Sequence, residues 1–406
     1  MTLPCRTLVL AGYGMAGHRL VETLRASDAA SDWRIVILSE EPRPAYDRLA
    51  LSVYLQEGSS RALSLASPDF PTQPVVDLRL NTRVTGIDRV RGTVTTADED
   101  TISYDALVLA TGSRPFVPPV PGHDLPGCFV YRTAEDADAI RAASLPGRSG
   151  AVIGGGLLGL EAANALRVLG MEPHVVEVAP RLMPLQVDEG AGEMLAQLIT
   201  DRGVRVHCDT SVVAIIPGSD GRVDSLLLDG GTVVHTALLV FAAGVRPRDE
   251  LAAGAGLALG PRGGFLVDPH CRTEDPRIWA IGECAAVRGR CHGMAAPGYR
   301  MAGIVADQLL GRDSVPFPEN PDMSAKLKLL GVDVASFGDA HAETEGALEL
   351  VFADHTAPTY AKLVLDSDAM TLLGGVLVGD TSAYPVLHAL IGRQLTAVPE
   401  QLLAMA

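Results

Sequence analysis

Short runs of apolar residues, each closing on a glycine turn, recur along the chain, and one such arrangement appears twice. Thr7 to Ala11 is a compact apolar run followed by GYGMAG and an amphipathic stretch through Leu24. Ala151 to Ile153 is likewise followed by GGGLLG and a series of good helix formers from Glu161 to Leu169. That series stops at Gly170, a residue suited to the position just beyond a helix end. Each unit leads into a further apolar run, Arg34 to Leu38 in the first and His174 to Val178 in the second. Strand, glycine turn, helix and strand in this order predict a βαβ unit with a parallel sheet, so two such units are expected.

Between and after the two units, ALVLATGS (Ala106 to Ser113) and ALLVFAAGVRP (Ala237 to Pro247) each read as a buried strand ending in small residues. The proline-rich stretch Arg114 to Gly122 cannot continue a central strand and is expected to be a crossing linker. From about Pro321 the pattern changes. Alternating runs at Tyr360 to Leu365 and Leu372 to Val378, with no further glycine-rich phosphate loop, predict a small α+β domain. The fold class expected is therefore α/β, with two Rossmann-like dinucleotide-binding domains and a small C-terminal α+β domain.

Composition narrows the function classes. A chain of 406 residues is too long for one core. The net charge of −16 and an aromatic content of 4% argue against a nucleic-acid partner, which would select for basic and stacking residues. The opening apolar stretch is shorter than a signal-peptide core, and no stretch reaches the roughly 18 apolar residues of a membrane span. The six cysteines (Cys5, Cys128, Cys208, Cys271, Cys284, Cys291) form no C-x-x-C pair and, with the histidines, no metal-ligand spacing. No membrane, no metal and a cytoplasmic location are expected.

The two glycine loops carry the candidate chemistry. In the first, Gly12 permits the tight turn, Gly14 lets the backbone approach a pyrophosphate, and Gly17 lets helix and strand pack closely. The helix start then offers free N–H groups and a positive dipole end to phosphate. Glu40, closing the next strand, is placed to accept hydrogen bonds from a ribose. Gly154, Gly156 and Gly159 repeat the loop, and Glu177 repeats the acid. A chain with two dinucleotide sites is expected to hold one dinucleotide as a fixed cofactor and to use the other as a substrate. FAD with NADH, or NADPH, is the expected pair, because hydride passes directly from nicotinamide to flavin. An acid at Glu177 repels a 2′-phosphate and so favours NADH, with Arg181 four residues on as the group that would soften the repulsion.

Further motifs resemble a known family. TEDPRIWAIGEC (Thr273 to Cys284) is similar to the second FAD motif of the two-dinucleotide-domain flavoprotein reductases. ATGS (Ala110 to Ser113) resembles the turn where their chain leaves the FAD domain. AYDRLALS, FVYRTAEDADAI, GGGLLGLEAA, APGYRMA, SAKLKLLGVDV and LLGGVLVGDTSAY together resemble the flavoprotein module of the assimilatory NAD(P)H nitrite reductase large subunit, over essentially the whole chain. The resemblance implies that Glu283, beside Gly282, holds the ribityl chain, and that Ala110, Thr111 and Gly112 lie at the flavin. It implies that a helix starting near Pro297 or Gly298, with Tyr299, points at the pyrimidine ring. Where related ferredoxin reductases carry a flavin-side lysine paired with a glutamate, this chain has Ser52 and Val53, leaving Arg48 and Glu161 as the expected catalytic residues.

The expected domains are 1–113 with 245–320 for FAD, 114–244 for NAD(P)H, and 321–406 as an interface domain. The resemblance implies an NADH:acceptor oxidoreductase. The chain ends at Ala406, before the iron–sulfur and siroheme segments of that large subunit, so electrons are expected to go to a separate acceptor. A nitrite or nitrate reductase component is the first candidate, then a ferredoxin or rubredoxin. An oxidase producing peroxide and a low-turnover redox sensor are the alternatives. Lys326, Lys328 and Lys362 all lie in the tail; Lys326 and Lys328 are read as a basic patch for an iron–sulfur partner, the alternatives being ordinary solvated charges or a homodimer contact.

Overall fold

The computed structural model describes residues 6–27, 32–65, 76–395 and 398–403; Cys5 lies outside them. The chain divides into two compact units. The first comprises 1–50, 59–114 and 245–321, and the second 51–58, 115–244 and 322–406.

In the first unit, β1 (Arg6–Ala11), α1 (Met15–Arg25) and β2 (Trp33–Leu38) form the expected βαβ unit. The sheet continues through β3 (Val76–Arg79) on one side and β4 (Ala106–Leu109), then the strand Ile278–Ala280, on the other. All its pairings are parallel. Leu8, Val9, Leu10 and Ala11 are fully buried, which explains why this strand reads as a continuous apolar run rather than an alternating one. The helix Ala295–Leu309 packs against α1. It begins two residues before the expected start, and Pro297 is its third residue. Proline is tolerated there because the first-turn N–H groups have no intrahelical acceptor.

The second unit repeats the plan. Its parallel sheet takes in β5 (Cys128–Val130), β6 (Ser149–Ile153), β7 (Glu172–Val176), β8 (Arg205–His207) and β9 (Leu239–Phe241), in spatial order β8-β7-β6-β9-β5. Between β6 and β7 runs α2 (Leu157–Val168), with Gly170 at φ +82° just past its end. After β7 comes α3 (Glu189–Thr200). The expected strand over 174–178 ends at Val176, so Glu177 stands just beyond the sheet and Val178 is exposed. Leu51–Gly58, placed in the first domain by the expected boundaries, groups with this unit. Its helix buries Leu51, Tyr54 and Leu55, and the Tyr54 hydroxyl donates to Asp138 at 2.8 Å.

The tail is a five-stranded antiparallel sheet in spatial order β10-β11-β14-β13-β12. Its strands are β10 (Ala325–Leu329), β11 (Val332–Gly338), β12 (Leu348–Asp354), β13 (Thr359–Leu365) and β14 (Leu372–Gly379). The runs over 360–365 and 372–378 lie in β13, buried from Tyr360 to Leu365, and β14, buried almost throughout. One face packs on the helices Tyr384–Leu390 and Pro399–Leu403; α3 covers the other. This second cover places Lys362 inside the protein, at 2% exposure. Lys326 and Lys328 remain on the surface. Among the described residues no helix is long and apolar enough to cross a membrane.

Candidate dinucleotide sites

The two glycine loops share one local geometry. Gly12 and Gly154 have φ of +101° and +112°, and a Cβ on either would lie 2.3 or 2.4 Å from the carbonyl oxygen of Ala110 or Ala242. Neither position accepts a side chain. A Cβ on Gly17 would meet the Gly12 carbonyl oxygen at 2.9 Å, and one on Gly159 would overlap the Gly154 carbonyl oxygen at 1.8 Å. Gly14 and Gly156 differ from these: both have extended backbone, and nothing lies within 4 Å of a Cβ built there. The middle glycine of each loop therefore faces open space.

The helices that follow the two loops start without side-chain caps. The helix Ala134–Ala143 is capped by Thr133 with a reciprocal contact from Asp136, and α3 by Asp188. By contrast, α1 and α2 start at Gly14 and Gly156 with no side-chain cap and no acid in the first turn, and the helix Ala295–Leu309 starts the same way. Uncapped N–H groups and an uncompensated dipole end suit an anionic or electron-rich ligand. A pyrophosphate fits both loops, and the chain thus has residues suited to FAD and to a nicotinamide dinucleotide.

The two acids are held differently. Glu177 is buried; its carboxylate accepts from the N–H of Gly155 at 2.6 Å and of Ala179 at 2.7 Å. It thus ties the tip of β7 to the middle of the phosphate loop. Arg181 follows four residues on. Its Nε donates to the Val187 carbonyl at 3.0 Å, and its stem fills the space that Gly192 leaves open on α3. Glu40 is exposed and ion-paired with Arg248. The backbone of Arg248 is in turn tethered to the ATGS turn: its carbonyl accepts from Thr111 Oγ1 at 2.6 Å, and its N–H donates to the Gly112 carbonyl at 2.9 Å.

Four further expected residues meet in the first unit. Glu283 accepts a hydrogen bond from Ser113 Oγ at 2.7 Å. Gly282, at φ +77°, approaches Gly298 so closely that a Cβ on Gly298 would lie 3.4 Å from the Gly282 Cα. That contact seats the uncapped end of the helix Ala295–Leu309 beside the acid. Tyr299 follows on this helix, half-buried, its phenol pushed up by burial and by Asp47. The ATGS turn packs here as well, since the Ala110 carbonyl lies against Gly12.

Arg48 is held by Glu41 and by the Tyr46 hydroxyl at 2.8 Å, with Tyr46 also donating to Glu41 at 2.8 Å. Glu161, half-buried on α2, lies close enough to the buried Tyr131 to raise its phenol, after burial itself. Glu41, Ser113 and Arg248 escaped the sequence reading. Ser113 closes the ATGS turn and Arg248 follows another turn that had been singled out, but their acidic partners lie 170 and 208 residues away and leave no local signal, whereas Glu41 pairs with Arg48 only 7 residues on.

Cys128, Cys208, Cys271, Cys284 and Cys291 are free. Burial pushes the thiols of Cys128, Cys208 and Cys291 up to about 11, so the reactive thiolate is disfavoured.

Comparison with known proteins agrees with this architecture. The profile of the pyridine nucleotide-disulphide oxidoreductase family matches residues 6–302, and that of the rubredoxin NAD+ reductase C-terminal domain matches residues 324–395. The nitrite reductase [NAD(P)H] large subunit of Klebsiella oxytoca is 47% identical over 408 residues, which is 100% of this chain and 42% of that protein. The assimilatory nitrate reductase electron transfer subunit of Bacillus subtilis is 36% identical over 377 residues, 92% of this chain and 48% of that protein. The chain thus spans less than half the length of these curated relatives. Among solved structures, a ferredoxin reductase from Rhodopseudomonas palustris superposes with a TM-score of 0.84 at 28% identity, covering 98% of this chain and 97% of its own. The chain belongs to the pyridine nucleotide-disulphide oxidoreductase family, as an NAD(P)H-dependent flavoprotein reductase with a rubredoxin reductase-type C-terminal domain.

Proposed function

We propose that this protein takes electrons from NADH through bound FAD and delivers them to a separate acceptor, a nitrite or nitrate reductase component in the first instance. The observation that carries the reading is the pair of glycine loops, each open at its middle glycine and followed by an acid at the tip of the next strand. FAD supplies the ability to accept a hydride and release electrons one or two at a time. Gly12, Gly14 and Gly17 hold its diphosphate, Glu40 its ribose, and Glu283, aimed by Ser113, its ribityl hydroxyls. The uncapped end of the helix Ala295–Leu309, with Gly298 and Tyr299, would favour negative charge at a flavin held there. Gly154, Gly156, Gly159 and Glu177 bind NADH, and Arg48 and Glu161 are the polar side chains of the reacting region. Glu177 would repel a 2′-phosphate, with Arg181 as the group that would soften the repulsion, so NADH is favoured over NADPH.

The acceptor is assigned from the relatives: one is a nitrite reductase and another an electron transfer subunit of nitrate reductase. A ferredoxin or rubredoxin is the second reading, supported by the C-terminal domain and the R. palustris likeness. The protein acts in the cytoplasm. Anaerobic mixing of the purified yellow protein with NADH should bleach the flavin, and a dye or an iron–sulfur protein should restore it rapidly. A reduced complex that dyes reoxidise only slowly would make the protein a sensor. Fast oxygen consumption with peroxide release would make it an oxidase.

A further inference from the structure

Lys362 is the feature of the second unit that its fold does not require. A lysine ammonium is seldom buried unless it is paired, because losing water costs more than a lone contact returns. At 2% exposure, Lys362 Nζ lies 2.9 Å from Asp188 Oδ2 and 3.1 Å from Glu349 Oε2. The Tyr360 hydroxyl donates to the same Asp188 oxygen at 2.7 Å, while Asp188 Oδ1 accepts from the Ala191 N–H at 3.1 Å and so caps α3. Gly190 allows the contact: its Cβ would lie 2.7 Å from the Tyr360 ring.

Asp188 also ends the segment that starts at Glu177, and that segment lies against the phosphate loop. The Met183 N–H donates to the Gly155 carbonyl at 2.9 Å, while Gln186 and Val187 donate back to the Met183 carbonyl. Met183 is fully buried at φ +48°, a conformation held only where its surroundings impose it. Leu182 fills the space on one side of Gly155, so that a Cβ there would lie 2.7 Å from it, and the Gly155 N–H donates to Glu177. From the tail, His341 Nε2 donates to the Leu185 carbonyl at 3.1 Å. The C-terminal domain therefore grips segment 182–188 at two points, and the segment in turn sets Gly155.

Resting on the reading that this loop binds NADH, we infer that Lys362 and Tyr360 are positioning residues for the nicotinamide dinucleotide, through which the C-terminal domain forms part of that site. Neither touches the nucleotide; both act through Asp188. The test uses the full-length, FAD-loaded protein. Calorimetry with ADP-ribose and with NAD+ gives affinity independently of turnover, and hydrogen exchange at residues 182–188 reports the segment itself. Lys362→Met should weaken both ligands by about fivefold or more and speed that exchange. KM for NADH should rise in step, while the limiting rate of flavin reduction and the FAD content hold. Glu345→Gln, at an exposed acid of the same domain, should leave both affinities and the exchange at wild-type values. Should Lys362→Met fail to fold, Tyr360→Phe removes one hydroxyl and keeps the ring on Gly190; it should weaken ADP-ribose by about twofold to threefold and speed the exchange. Wild-type affinity and exchange in a folded variant overturn the inference. Failure of the wild-type protein to bind ADP-ribose or NAD+ would instead overturn the assignment of the loop.

Discussion

The glycines of each loop are not equivalent, and the difference separates folding from binding. Gly12 has a positive φ and a backbone carbonyl 2.3 Å from any Cβ, so Gly12→Ala should leave little soluble protein. Gly14 has neither constraint. Gly14→Leu should fold, with a circular dichroism spectrum like that of the parent, yet purify colourless and take up no added FAD. A yellow Gly14→Leu protein would remove this loop from the cofactor site. Glu177 makes a second case. Replacing a carboxylate near a 2′-phosphate with a neutral group relieves a repulsion of about 1–2 kcal/mol. Glu177→Gln should therefore lower the ratio of kcat/KM for NADH over NADPH by about tenfold. Both nucleotides should in addition bind more weakly, because Gly155 and Ala179 both donate to the carboxylate. A wild-type ratio favouring NADPH would reverse the assignment.

Among the elements, β7 and β8 carry a titrating contact unrelated to the chemistry. His174 Nδ1 lies 3.1 Å from His207 Nε2 with the rings stacked, and Arg205 Nη1 lies 3.1 Å from the other His174 nitrogen. Burial first, then the Arg205 and His207 charges, push His174 down from 6.5 to about 4, and His207 is lowered as well, by burial and Arg205. A base whose folded pKa is depressed binds its proton more readily when unfolded. Its contribution is thus complete above about pH 6.5 and is lost as pH falls toward about 4. The protein should lose on the order of 1–2 kcal/mol of stability across that window from this pair, beyond what other groups contribute. His174→Gln should flatten the change in Tm between pH 7.5 and 5, and an unaltered slope would exclude the pair as its source. The strands themselves were legible because both faces of a parallel sheet are covered and its strands are continuously apolar. The histidine pair was not, since residues 33 apart meet only through strand order.

At the scale of the whole molecule, the question is where electrons leave. The net charge of −16 works against an acidic iron–sulfur partner, yet Lys326 and Lys328 stand exposed on β10. If they orient the acceptor, their effect is mainly on the association rate and falls with salt. The Lys326→Glu, Lys328→Glu double variant should keep wild-type flavin reduction by NADH. Turnover with a ferredoxin or rubredoxin should fall and lose its salt dependence. Equal protein-acceptor rates at low salt would make these lysines ordinary solvated charges. Lys362 cannot contribute, because α3 lies over it and Asp188 neutralises it.

Local order sufficed for the two βαβ units, the open middle glycines and the acids that follow the second strand of each. Every one of those features depends on residues within a few turns of one another, where strand and helix periods and the φ of glycine act directly. The C-terminal sheet was also visible as strands, but its second cover was not: whether the outward face of β13 meets water or α3 is decided by packing between segments far apart in the chain. Hence Lys362 read as a surface charge and is a buried one. Ser113 bonds Glu283 across 170 residues and Tyr360 bonds Asp188 across 172, contacts that exist only once the sheets have closed. Backbone chemistry is local and shows in sequence, whereas the partner of a side chain depends on which distant surface arrives beside it.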